Sequence, residues 1–218
     1  MAACEHLIIV SGASSAAGKT ALAEALIASL RCRPPAAVKI TVTHDIVAGC
    51  PRGGSGCGVC ASVPTGYRVI TDPEVIAQPA TDTGRYALAG ADPVLWIITQ
   101  PTDLARAWHQ VTRRIEPRRT VVVESNSLAI LQAPALSFFT VNPRIARARW
   151  KASAVQLGRQ SDFLIVSQQG CRDDRAEKLF HEFAMIRDPL TTLLLPSVED
   201  AVLVPEVERR IQPFLKAS

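Results

Sequence analysis

Residues 7–30 constrain the fold of this chain more than any other stretch. Leu7-Ile8-Ile9-Val10 is a short apolar run, Ser11 to Thr20 is built almost wholly of small residues around Gly12 and Gly18, and Ala21 to Leu30 is apolar at helical spacing. The pattern predicts a buried strand, a tight loop and an amphipathic helix. Small side chains let a loop curl its N–H groups inward, and a helix N-terminus adds partial positive charge, so the unit suits a phosphate. Gly12, Ser14, Ser15, Ala16, Ala17, Gly18, Lys19, Thr20 and Ala21 are the expected nucleotide contacts. Lys19 is expected to reach the β- and γ-phosphates, and the Thr20 hydroxyl to hold Mg²⁺.

Five residues separate Gly12 from Gly18, and Ala13 stands where the commoner four-residue spacing would put its first glycine. This longer G-x5-G-K-T form resembles the loops of dethiobiotin synthetase and its relatives among the cobyrinate-amidating enzymes.

The 218 residues suit a single domain, 1–218, with one insert at 44–66, and 48% apolar content is enough for a core without disulfides. The net charge of +4 is spread out apart from Arg144–Lys151, which argues against a nucleic-acid partner. No basic stretch precedes a long apolar run and no window approaches a membrane span, so a cytoplasmic protein without a membrane partner is expected. Six cysteines in such a compartment read as thiols or metal ligands.

Further along, Val38–Thr43, Tyr67–Thr71, Val94–Thr99, Thr120–Glu124, Leu136–Val141, Asp162–Ser167 and Thr191–Leu195 read as strands. Helices are expected at Asp72-Pro73-Glu74, from Thr83 to Gly90, and from a Thr102-Asp103 cap to Ile115. Others are expected from Asn142-Pro143 to Gly158 as a basic helix, from Asp173 to Phe183, and from Val198 to Ile211 with a break near Pro205. This alternation predicts an α/β, three-layer P-loop NTPase fold with a mainly parallel sheet and a Cys/Gly-rich insert after the second strand. Ligands of such sheets sit beyond the strand C-termini, where the glycine loop, His44, Thr99, Glu124 and Asn142 fall. Asn142 is accordingly a further nucleotide contact.

Mg²⁺ is held by oxygen, so acids are needed near the loop. Asp45, Asp82 and Glu124 lie at strand ends or in the loops after them. Thr20, Asp45 and Glu124 are the expected Mg²⁺ ligands, Lys19, Asp45 and Glu124 the expected catalytic groups, and Asp82 an expected nucleotide contact. Thr43-His44-Asp45, Pro79-Ala80-Thr81-Asp82-Thr83-Gly84-Arg85, Ala89-Gly90-Ala91 and Val121-Val122-Val123-Glu124 follow the loop in order. This order resembles the MobB family, the GTP-binding adapters of molybdopterin-guanine dinucleotide biosynthesis. Asp82-Thr83 matches that family's Asp-Ser pair, and Glu124 its strand-end acid. The sequence departs from the family at Ala80-Thr81, which replaces Gly-Lys, and at Ser125-Asn126-Ser127, which replaces Gly-Phe-Lys. No Asn-Lys-x-Asp element is present, and Ser167-Gln168-Gln169 stands at the base-reading position, so ATP and GTP both stay open.

Cys50, Cys57 and Cys60 crowd eleven residues of glycine-rich sequence. They can converge on Zn²⁺, with His44 as a fourth ligand, or on an iron–sulfur cluster, also one shared across a dimer; a redox dithiol is the other option. Cys4, Cys32 and Cys171 read as ordinary small residues, and Trp96, Trp108 and Trp150 as core. Arg85 and the Arg144, Arg147, Arg149, Lys151 stretch are candidate anion contacts. Two functions follow as expectations. One is Mg²⁺-dependent nucleotide binding with hydrolysis or phosphoryl transfer, MobB-like, with the cysteine loop sensing nucleotide state and a small molecule or protein as partner. The other is an iron–sulfur, redox or metal-carrier protein in which the nucleotide only gates docking. Homodimerisation is expected by analogy with related folds.

Overall fold

The computed structural model describes residues 6–43, 63 and 65–216. Eight strands form one sheet: β1 (Leu7–Gly12), β2 (Ala36–Val42), β3 (Tyr67–Ile70), β4 (Val94–Thr99), β5 (Val121–Glu124), β6 (Leu136–Val141), β7 (Phe163–Ser167) and β8 (Thr192–Leu195). Their order is β3-β4-β2-β5-β1-β6-β7-β8, and every pairing is parallel except β3 with β4. Eight α-helices connect them among the described residues: α1 (Lys19–Ser29), α2 (Pro73–Ile76), α3 (Asp82–Leu88), α4 (Leu104–Thr112), α5 (Asn126–Leu131), α6 (Ala154–Gln160), α7 (Arg175–Ala184) and α8 (Pro205–Lys216). The architecture is α/β, compatible with three layers.

Strand periodicity sorts the core. Ile8, Val10, Val122, Phe138 and Ile165 face Leu22, Leu26 and Ile27 of α1 and Val207, Ile211 and Phe214 of α8. Leu7, Ile9, Val38, Ile97, Val121 and Val123 point the other way, onto Leu104, Trp108 and Val111 of α4. Phe139, Val141, Leu164 and Val166 meet Leu157 and Phe183 on α6 and α7. Because the central strands are covered on both faces they read as unbroken apolar runs, as parallel sheets do.

Several local expectations need correction. No continuous basic helix follows β6: Asn142 Oδ1 accepts from the Arg144 N–H at 3.0 Å and bends the chain, Arg147–Arg149 is one 3₁₀ turn, and the helix starts only at Ala154. That local bond competes with helix formation in the way expected for asparagine. Asp103 caps nothing with its side chain and instead pairs with Arg106 at 3.0 Å, after a 3₁₀ turn at Pro101–Asp103. The break expected near Pro205 is present: Glu199–Leu203 is 3₁₀, Val204 is extended and Pro205 opens α8, as proline does at a first helical turn; the helix runs on to Lys216. Helix α5 was not expected; Ser125 caps it, its Oγ accepting from the Leu128 N–H at 3.1 Å.

Candidate functional site at the β1–α1 loop

The loop leaves the C-terminal end of β1, the strand between β5 and β6. A β-carbon on Gly12 would lie 2.6 Å from Thr140 Oγ1 and 2.9 Å from Lys19 Cγ, so only glycine lets β6 and the lysine stem come this close. Gly18 has φ +90° and turns the chain into α1. Between them the loop is held from several sides. Ala13 donates its N–H to the Thr140 carbonyl at 2.9 Å, and its own carbonyl accepts from the Lys151 N–H at 2.8 Å. Asn142 Nδ2 donates to the Ala16 carbonyl at 3.1 Å. Asn126 grips Gly12 by both backbone groups.

Three observations at this loop fit an anion. No side chain caps the start of α1, and its first turn has no acid. The Ser14 hydroxyl is buried and has no hydrogen-bond partner among the described residues. Lys19 is only 6% exposed and folds back on the loop, donating to the Ser14 carbonyl at 2.6 Å and the Ser15 carbonyl at 3.4 Å. Burial lowers its pKa to about 8, against the pull of Glu124 and with help from Lys151 and Lys39. A buried ammonium that rests on carbonyls, its charge disfavoured by desolvation, is a group short of a negative partner.

Beside the loop, side chains from four elements meet. Thr20, second in α1, places Oγ1 3.0 Å from Asp82 Oδ1 and 2.9 Å from Glu124 Oε2; its one proton serves one carboxylate at a time. Asp82 opens α3, behind a Thr81 cap whose Oγ1 accepts from the Gly84 N–H at 3.0 Å. Glu124 ends β5, 4% exposed, and Lys39 stands directly opposite it in the β2–β5 register. The Lys39 ammonium bridges the two acids, 2.6 Å from Asp82 Oδ2 and 2.6 Å from Glu124 Oε1. Tyr86, one turn along α3, donates its hydroxyl to Glu124 Oε2.

Burial alone would push both carboxyl pKa values up. For Asp82 the charge and hydrogen bond of Lys39, and for Glu124 the charges of Lys39 and Lys19 with hydrogen bonds from Lys39 and Tyr86, hold them below the ordinary carboxylate range. Both acids are therefore ionised at neutral pH. Burial and the Glu124 charge push Tyr86 well above its usual value, so it stays a donor. Thr20, Asp82 and Glu124 form an all-oxygen donor set, the chemistry that suits a hard divalent cation, and a cationic side chain already lies between the two carboxylates.

Of the residues expected from sequence, Gly12 to Ala21, Asp82, Glu124 and Asn142 lie together at this end of the sheet. Asp82 contacts Thr20 and Glu124's partner Lys39. Asp45, His44, Cys50, Cys57 and Cys60 lie outside the described residues, as does Cys4. Cys32 and Cys171 are free thiols, and no group of three or more His, Cys, Asp and Glu side chains gathers among the described residues. Arg85 is engaged by Glu24 and Arg147 by Glu182, while Arg144 Nη1 lies against Gly170 at the ends of β6 and β7. Gln168, at the expected base-reading position, donates to Glu177 at 3.1 Å.

Lys39, Tyr86 and Asn126 were missed. A lysine inside a β-branched run carries no motif; its one available signal is that a lone charge in an otherwise apolar strand needs a buried partner. Among the described residues no helix is long and apolar enough to cross a membrane. No protein-family model matches the chain, and no curated protein matches it either.

Proposed function

We propose that this chain is a P-loop NTPase. It binds ATP or GTP with Mg²⁺ at Gly12–Ala21 and hydrolyses it or transfers its terminal phosphoryl, in a cofactor-biosynthetic role of the MobB or dethiobiotin-synthetase kind. The observation that carries this reading is the meeting of Thr20, Asp82 and Glu124 at the mouth of a loop whose lysine is buried without an ion-pair partner among the described residues. In that role Lys19 leaves the Ser14 and Ser15 carbonyls for phosphate oxygens, and the N–H groups opening α1 take the negative charge beside them. Thr20, Asp82 and Glu124 would hold Mg²⁺, which when bound offsets charge on the phosphates. Asn126 and Asn142 keep the loop in its curled shape. Phosphoryl transfer depends mainly on such positioning and charge neutralisation.

Equilibrium binding of ATP and of GTP with Mg²⁺, followed by phosphate release, tests the reading. Lys19→Ala should lower turnover at least about 100-fold while the protein stays folded. Unchanged hydrolysis in that variant overturns the assignment.

A further inference from the structure

We propose that Lys39 is an exchangeable resident cation: it holds Asp82 and Glu124 together in the nucleotide-free protein and gives both carboxylates up when a divalent cation enters with a polyphosphate. The inference rests on the nucleotide reading of the same site and adds to it the two ion pairs of Lys39.

The ammonium touches one oxygen of each acid at 2.6 Å, and the Thr20 hydroxyl touches the other oxygen of each, at 3.0 and 2.9 Å. Three oxygen-bearing side chains thus surround a point already claimed by a positive charge. The lysine joins α3 to β5, which share no other ion pair among the described residues. The two carboxylates and one ammonium leave a single net negative charge. A dication added without other change leaves one net positive charge and an ammonium stripped of its partners, on a side chain only 14% exposed. An ammonium left like that is costly unless an anion reaches it. A polyphosphate supplies that anion. Metal and nucleotide are therefore expected to bind together, and each poorly alone. The open side of the pair is Asp82, whose side chain is 41% exposed, so the exchange takes place at the mouth of the site and not through the core.

The test is Mn²⁺ binding to the full-length protein, followed by the paramagnetic signal of the free ion, with and without a non-hydrolysable ATP or GTP analogue. Mn²⁺ prefers oxygen ligands and so reads this donor set rather than thiols. Lys39→Met should bind Mn²⁺ roughly 10-fold more tightly than wild type without nucleotide, and should lose most of the nucleotide's enhancement, within the usual range of coupling between sites. The gain should vanish in the Lys39→Met, Glu124→Gln double variant. Equal or weaker Mn²⁺ binding by folded Lys39→Met, or a gain that survives the second substitution, overturns the proposal. Wild-type protein gives an independent reading: reductive methylation of Lys39, followed by peptide mass, should be slow in metal-free buffer and faster at a Mg²⁺ concentration shown by Mn²⁺ competition to saturate the site, and no change at saturation overturns it too. Failure of wild type to bind ATP or GTP with Mg²⁺ would remove the nucleotide reading instead, leaving the Mn²⁺ gain of Lys39→Met to be judged alone.

Discussion

Asn126 holds Gly12 by both backbone groups, accepting from its N–H at 3.1 Å and donating to its carbonyl at 2.9 Å across 114 residues of chain. The side chain is buried at the start of α5 and also reaches Ser153 Oγ at 3.3 Å. It is a strut between the loop and the helix after β5. Asn126→Ala leaves two buried backbone groups without these partners, a loss of about 2–4 kcal/mol. The expected result is a fall in melting temperature of roughly 5–10 °C and weaker nucleotide binding. Asn126→Asp keeps an acceptor for the Gly12 N–H but sets a buried carboxylate oxygen against the Gly12 carbonyl, so at neutral pH thermal unfolding should place it no higher than Asn126→Ala.

Gly12 meets Thr140 from the other side. An alanine there would press its methyl to 2.6 Å from Thr140 Oγ1 and 3.0 Å from the Thr140 carbonyl, besides the Lys19 stem at 2.9 Å. Gly12→Ala should therefore both destabilise the fold and shift Lys19, lowering nucleotide affinity by more than its loss of stability explains. Adding Thr140→Ala removes the hydroxyl clash but not the backbone one. Partial rescue of melting temperature with little rescue of affinity is the expected pattern, read by thermal unfolding and titration on the same samples.

How much of this was legible in the sequence depended on distance along the chain. The strand, loop and helix at 7–30 could be read because their signals are local: an apolar run, small residues, then helical periodicity. Glu124 was legible as the last residue of four β-formers. Lys39 was not, because its role arises only when β2 pairs with β5 in a register that sets it opposite Glu124. Asp82 was seen as a nucleotide contact, but its approach to Thr20 depends on how α3 packs against α1. The basic segment after β6 misled because its composition suits a helix while Asn142 turns the backbone out of one.

The cysteines at 50, 57 and 60 support a prediction from sequence alone. Three thiols in eleven residues, two of them as C-x2-C, are expected to bind Zn²⁺ or an iron–sulfur cluster. Protein purified without oxygen should carry near-stoichiometric zinc or iron by metal analysis, with visible colour only for iron. Cys57→Ser and Cys60→Ser should each lose it. A preparation free of both metals would exclude the metal-loop reading and the carrier reading with it, while leaving the nucleotide site untouched.

The Lys39 bridge also fixes how stability should vary with pH. Asp82 and Glu124 have carboxyl pKa values held below the ordinary range, against the upward push of burial. Groups depressed on folding stabilise the fold fully above their unfolded pKa, about 4, and lose that contribution as pH falls through the lower folded values. In Lys39→Met the bridging ammonium is gone, so burial dominates, both pKa values rise, and the ionised pair destabilises the variant at neutral pH. Protonation relieves that penalty as the pH drops. The gap in melting temperature between wild type and Lys39→Met should therefore be widest near neutral pH and shrink steadily towards pH 3. A gap that stays constant over this range would mean that the lysine contributes through its packed stem and not through its charge. Raising the salt concentration should narrow the gap through the Lys39–Asp82 arm, where the Asp82 side chain is 41% exposed, and leave the part due to buried Glu124 nearly unchanged, because ion pairs withdrawn from solvent are screened far less than surface ones.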